Sequence, residues 1–179
     1  MPDMDISKEQ QPKIFLIGMM GSGKSYWTKF LSKKLKNVGY DLDFLIEANE
    51  EKTIAEIFSE DGEDYFRKQE AKVLRLFKEK KVFVLGTGGG TPCFNNNMDW
   101  MNQHGSTIFI DPPIDQLVKR LIPEKNHRPL ISKLSDEELF QFLTQKRLER
   151  LPHYKKAQIH LSGDEITEKK FIQIIKSYA

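Results

Sequence analysis

Short, continuous apolar runs alternate along the chain with longer stretches where apolar residues return every three or four positions. The first run spans residues 13–17 and stops at Gly18. Its length and lack of polar alternation predict a buried strand. Over residues 24–38, Trp27, Phe30, Leu31 and Leu35 have the spacing of an amphipathic helix. Residues 40–43 read as a short second strand. Residues 53–80 carry Ile54, Ile57 and Phe58, then Phe66, Val73, Leu74 and Phe77, which predicts two helices broken near Gly62. A continuous apolar strand over 82–85 runs into glycines, and another over 107–110 is stopped by Pro112 and Pro113. Helices are predicted at 116–122, 136–151 and 167–178, with a last short strand at 159–161. Strands alternating with helices imply an α/β fold: a central five-stranded parallel sheet with helices on both faces, three layers in all. Ligands of such sheets bind beyond the carboxyl ends of the strands.

Composition narrows the function classes. The 179 residues are 30% charged and 39% hydrophobic, a globular mixture of one-domain size. We expect a loose leader over residues 1–12 and a single domain over 13–179. Lys and Arg number 28 against 26 Asp and Glu, a net charge of +2, so no basic footprint for nucleic acid is present. The single cysteine, Cys93, fits a reducing compartment. No apolar run approaches the roughly 20 residues that span a bilayer, and the acidic, polar N-terminus is not a signal peptide. A cytoplasmic, monomeric enzyme is expected.

The segment Gly18-Met19-Met20-Gly21-Ser22-Gly23-Lys24-Ser25 fits the phosphate-loop pattern G-x-x-x-x-G-K-[ST], with the apolar strand before it and the amphipathic helix after it that the motif requires. Glycines let backbone N–H groups curl around phosphate oxygens, and the following helix points its positive end at the same anion. Gly21, Ser22, Gly23, Lys24 and Ser25 are therefore assigned to ATP, with Lys24 on the β- and γ-phosphates and the Ser25 hydroxyl on Mg²⁺. The motif establishes triphosphate binding and a P-loop NTPase-type fold, but it does not name the acceptor. On the second strand, Asp41 and Asp43 are two apart and project to one side. Such a pair suits metal binding and orientation of an acceptor hydroxyl; alone, it suits helix capping equally well. No aspartate directly follows the 82–85 strand, which leaves Asp41 as the candidate metal-binding acid.

Five further elements then point the same way. Asp41-Leu42-Asp43-Phe44-Leu45-Ile46-Glu47, Ile54-Ala55-Glu56-Ile57-Phe58 with Gly62-Glu63 and Phe66-Arg67-Lys68-Gln69-Glu70, Gly86-Thr87-Gly88-Gly89-Gly90, Arg128-Pro129-Leu130, and Arg150-Leu151-Pro152-His153-Tyr154 resemble, in order, the motifs of shikimate kinases. The resemblance runs from Gly18 to Tyr154, most of the chain. It implies Mg²⁺-dependent transfer of the ATP γ-phosphoryl group to the 3-hydroxyl of shikimate, a step toward the aromatic amino acids. By that resemblance Asp43, Lys24 and Arg128 are catalytic, with Asp43 on the reacting hydroxyl. Arg67 and Arg150 clamp the shikimate carboxylate, Glu70 helps position it, and Gly88, Gly89 and Gly90 lie close to the ring. Ser25 and Asp41 hold the metal. Residues 123–134 form a mobile lid whose Arg128 meets the phosphates, and Phe58 and Phe66 line the acceptor pocket or the core.

The chain departs from the family pattern at Tyr26 and Trp27, bulky residues after the phosphate-loop serine. Tyr26 is assigned to ATP. Around Gly163 and Asp164 no adenine-side residue matches. Arg147, one turn before Arg150, reads as a surface charge, and none of the four histidines is assigned a role. Rival readings are a gluconate-type kinase, which would lack the D-x-D, F-R and triple-glycine elements together; a nucleoside monophosphate kinase, which would need several arginines for an acceptor dianion and a pocket for a second base; and a non-catalytic nucleotide-binding regulator, against which Lys24, Asp43, Arg67 and Arg150 argue.

Overall fold

A computed structural model of the chain describes residues 12–178; the leader expectation for 1–11 lies outside the described residues. Five strands pair in parallel in the order β2-β3-β1-β4-β5. They are β1 (Lys13–Ile17), β2 (Gly39–Asp41), β3 (Phe83–Gly86), β4 (Ser106–Asp111) and β5 (Ile159–Ser162). The helices are α1 (Lys24–Lys34), α2 (Leu42–Glu50), α3 (Ile54–Glu60), α4 (Glu63–Arg75), α5 (Asn97–His104), α6 (Ile114–Leu121), α7 (Asp136–Tyr154) and α8 (Glu168–Lys176). Short 3₁₀ turns join several of them.

The period-two alternation of the strands divides the core in two. Ile14, Leu16, Val84, Ile108 and Ile110 pack against Trp27 and Leu31 of α1 and Phe171 and Ile174 of α8. Phe15, Ile17, Phe83, Leu85 and Phe109 face the other way, against side chains of α2 through α7. Because β1, β3 and β4 are covered on both faces, they carry no polar alternation and read as continuous apolar runs, whereas the edge strands β2 and β5 are exposed at alternate positions.

Several boundaries shift from the sequence expectation. The first helix ends at Lys34 rather than at residue 38, because Lys36 adopts positive φ (51°) and Asn37 N–H closes back to the Ser32 carbonyl at 2.9 Å. The strand expected over 40–43 stops at Asp41, since the Asp41 side chain caps α2 by accepting from the N–H groups of Asp43 (3.0 Å) and Phe44 (3.3 Å). Asp43 is therefore in the first turn of a helix, not on a strand. Helices α2 and α5 were not expected. The lid segment is a 3₁₀ stretch, Ile122–His127, followed by turns.

Candidate functional site

The phosphate loop joins β1 to α1 at the carboxyl edge of the sheet. Gly23, with φ 93°, stands at the N-cap of α1; no side chain caps that helix and its first turn has no acidic residue. Helices α2, α3, α7 and α8 are capped by Asp41, Thr53, Ser135 and Thr167. The N–H groups of α1 are thus left open to an anionic ligand. Lys24 bends back over the loop, its Nζ donating to the carbonyls of Gly18 (2.9 Å) and Met19 (2.8 Å). Burial pushes its ammonium down to about 8, against the opposing pull of Asp43 and Asp41.

Two cavities open beside the loop. One, of about 670 Å³, is walled by Gly21, Gly23, Lys24, Ser25, Asp41, Asp43 and Arg120, among others. The second, of about 450 Å³, is walled by Ile54, Phe58, Phe66, Arg67, Glu70, Gly90, Leu130 and Arg150. Met20, Asp43, Glu47, Gly88, Gly89 and Arg128 line both. The seam between the cavities is therefore where a group bound in one can meet a group bound in the other.

Asp43 sits on that seam. Burial raises its carboxyl, and the neighbouring Asp41 and Glu70 carboxylates add to the effect, pushing it up to about 6. Asp41 and Asp43 line the same cavity as expected, but by a different geometry: a cap and a first-turn position rather than two residues of one strand face.

The three glycines after β3 are explained by what surrounds them. A Cβ on Gly88 would lie 3.1 Å from the Asp43 Oδ1 and 3.3 Å from a Glu70 oxygen. One on Gly89 would lie 2.9 Å from an Arg150 nitrogen, and one on Gly90 only 2.6 Å from Arg67 Nη2. The glycines thus leave room for the charged groups of the second cavity: Asp43 and Glu70 at Gly88, Arg150 at Gly89 and Arg67 at Gly90. The sequence did not reveal this requirement: closeness of the glycine backbone to the side chains that line the pocket.

Arg67 projects from α4 with its side chain 12% exposed. It donates to Glu63 (3.1 and 3.2 Å) and to Glu70 (3.0 Å). Glu70 is fully buried and also accepts from the Thr91 hydroxyl at 2.6 Å, so a charge that would be costly alone is paired and hydrogen-bonded. Arg150 comes from α7. One turn later the buried Tyr154 donates to the Gly89 carbonyl, which fixes this helix against the glycine segment.

Arg147, read from the sequence as a surface charge, is instead paired through its fork with Asp111 at the end of β4, with Nε 2.9 Å from Oδ1. Asp111 is only 7% exposed, and His160 approaches it at 3.2 Å. A residue three places from Arg150 shares its general direction on the helix, and a buried acid 36 positions away was not visible as its partner. Trp27 is likewise core: it is 7% exposed and stacks on Phe171 at 4.1 Å. Tyr26 is exposed and donates to Glu168 at 3.2 Å. Both line a third cavity of about 350 Å³ with Gly23, Gln116, Arg120, Gly163 and Ile166. Gly163, around which the sequence offered no adenine-side match, thus borders a cavity shared with Tyr26. Arg120, missed in the sequence, borders both this cavity and the phosphate cavity, and donates to the Gly21 carbonyl at 3.2 Å. Its i+4 spacing from Gln116 on a helix was the available signal. Arg128 borders the seam and pairs with Glu124 at 2.7 Å, with its side chain 41% exposed.

A family model described as shikimate kinase matches residues 20–178. A shikimate kinase of Phocaeicola vulgatus is 42% identical over 161 residues, covering 90% of this chain and 92% of the relative. One from Clostridium botulinum is 39% identical over 92% of this chain and 95% of its own length. Among solved structures, the shikimate kinase of Bacteroides thetaiotaomicron superposes with a TM-score of 0.83 at 38% identity, covering 93% of this chain and 95% of that one. The Acinetobacter baumannii shikimate kinase, solved in complex with shikimate, gives 0.79 at 30% identity over 94% and 91%.

Proposed function

The chain belongs to the shikimate kinase family, and from that premise we propose how its residues divide the transfer of the ATP γ-phosphoryl group to the 3-hydroxyl of shikimate. The observation that carries the reading is the seam: Asp43, Glu47, Gly88, Gly89 and Arg128 border both the phosphate cavity and the acceptor cavity.

ATP lies with its phosphates in the loop Gly18–Ser25, held by backbone N–H groups and the open end of α1. Lys24 releases the loop carbonyls and donates to the β- and γ-phosphate oxygens. Tyr26, Trp27 and Arg120 border the adenine side. Shikimate lies in the acceptor cavity with its carboxylate on Arg67 and Arg150, whose planar forks match it, and with its ring over Gly88–Gly90. Its 3-hydroxyl then reaches the seam and donates to Asp43. Phosphoryl transfer needs mainly alignment and charge stabilisation, so Asp43 orients the hydroxyl oxygen in line with the γ-phosphorus and takes its proton late. Arg128 leaves Glu124 for the transferring group as the lid closes and water is excluded.

The residues also fit Mg²⁺. Asp41 spends Oδ1 on its cap and keeps Oδ2, the Ser25 hydroxyl lines the same cavity, and the crowded carboxylates that raise Asp43 gain from a nearby cation. Among the described residues no three His, Cys, Asp or Glu side chains are grouped as a metal cage, so Asp41 and Ser25 would hold the ion together with phosphate oxygens and waters, the usual way Mg²⁺ is bound. When bound, the metal neutralises charge on the phosphates. The single cysteine supports a cytoplasmic setting, and among the described residues no helix is long and apolar enough to cross a membrane.

The product tests this reading. Incubated with ATP, Mg²⁺ and shikimate, the enzyme should give a phosphate ester at the ring 3-oxygen, located by phosphorus–proton correlation spectroscopy; an ester at another oxygen rejects the placement of Asp43. In the same assay, Asp41→Asn should weaken apparent Mg²⁺ affinity by roughly tenfold, and excess Mg²⁺ should partly restore its rate. Rescue of Asp43→Asn but not of Asp41→Asn would reverse the two roles.

A further inference from the structure

We propose that Phe94 is a positioning residue for recognition of the acceptor carboxylate, acting by fixing the plane of the Arg67 guanidinium. The proposal rests on the reading of Arg67 as an acceptor clamp. After the three glycines the chain makes a short 3₁₀ turn, Thr91–Cys93, and then reverses at Asn95 and Asn96, whose φ values are 50° and 55°. Asn tolerates this left-handed region better than most residues. The reversal lays the segment back on α4, where it is fastened at several points. Asn95 Nδ2 donates to the Arg67 carbonyl at 2.9 Å, and Arg75 Nη2 donates to the Asn95 carbonyl at 2.8 Å. Arg75 Nη1 also donates to the fully buried Asn97, whose Nδ2 in turn donates to the Thr91 carbonyl at 2.9 Å.

The segment so held puts the Phe94 ring against Arg67, with the guanidinium carbon 4.2 Å from the ring centroid; the Phe66 ring lies 5.0 Å away. Such a face contact is attractive and also sets the orientation of the flat cation. Orientation matters here because of how the donors are spent. A guanidinium has five N–H groups. In Arg67, Nε and Nη2 donate to Glu63 and Nη1 donates to Glu70. One N–H therefore remains on each terminal nitrogen, the pair that a carboxylate takes in a two-point contact. Glu63 is 53% exposed and restrains the plane weakly by itself. Phe94 borders neither cavity, so its effect on the acceptor passes through Arg67. It is 38% exposed, so truncating it leaves the core closed.

The test measures steady-state constants and thermal midpoints for Phe94→Ala, Phe94→Tyr and Arg67→Ala. Phe94→Ala should raise the KM for shikimate about tenfold and leave the KM for ATP within about twofold, the size expected for one partly desolvated cation–π contact. Phe94→Tyr, which keeps the ring, should restore the shikimate KM. If Arg67→Ala raises the shikimate KM and Phe94→Ala does not, the role of Phe94 is overturned while the clamp stands. If Arg67→Ala itself leaves that KM unchanged, the clamp reading falls. Equal rises in both KM values, or no rescue by Phe94→Tyr, would assign Phe94 a general structural role and overturn the proposal.

Discussion

Asp43→Asn is expected to lower turnover by roughly 100-fold or more, the usual loss for a positioned general base, while the KM for ATP stays close to that of the parent. The amide keeps the size of the side chain and one acceptor oxygen, so the hydroxyl is still located, but the charge and the proton-accepting oxygen are gone. The raised carboxyl adds a pH signature. With Asp43 held up to about 6, kcat/KM of the parent should fall as pH drops through that value, because the protonated acid no longer orients the hydroxyl as an acceptor. The residual activity of Asp43→Asn should lack that limb. Stability moves the other way. The native state binds this proton more tightly than the unfolded chain, so ionising Asp43 costs stability as pH rises through about 6. The Asn variant escapes the cost. It should be more stable than the parent by on the order of 1–3 kcal/mol at pH 8 and nearly equal to it at pH 4. Denaturant unfolding at the two values checks the sign. A variant that is slower but not stabilised at pH 8, or that keeps the acid limb, would show that Asp43 is not the strained carboxylate of this site.

Arg67→Ala and Arg150→Ala should each raise the KM for shikimate by a factor equivalent to about 2–5 kcal/mol, the range for removing one partner of a buried charged pair. Effects on the ATP KM should be small, because both arginines wall the acceptor cavity and neither walls the phosphate cavity. The two variants should differ in their side effects. Arg67 also neutralises the fully buried Glu70, so Arg67→Ala leaves an uncompensated carboxylate and should lower the thermal midpoint. Arg150 pairs with no buried carboxylate among the described residues; its neighbours are the Met19 sulfur and the Tyr154 hydroxyl. Equal rises in the KM of both substrates for either variant would count against the acceptor assignment.

The layered sheet was legible because its three central strands, β1, β3 and β4, are covered on both faces and read as uninterrupted apolar runs. The phosphate loop was legible because its glycines, lysine and serine are contiguous. What escaped depended on contacts between distant residues. Asp41 and Asp43 were read as strand neighbours because alternation alone cannot show that Asp41 turns the chain into α2 by capping it. Arg147 looked like a surface charge because its partner, Asp111, is 36 positions away at the end of another strand. The spacing of Gly88–Gly90 announced a close approach, but not that Asp43, Arg150 and Arg67 are the groups approaching. Arg120 was missed because the third cavity is assembled from Tyr26 and Trp27 of α1, Gln116 and Arg120 of α6, and Gly163 and Ile166 of the segment after β5, stretches far apart in the chain.

The account is tested most directly by a coupled assay of ADP release with Mg²⁺ and ATP, comparing shikimate with gluconate as acceptor. Two arginines placed for a ring carboxylate, beside a carboxylate at the seam, predict rapid ADP release that depends on shikimate and is barely supported by gluconate. ADP release at equal rates with the two acceptors, or at a rate indifferent to either, would contradict it.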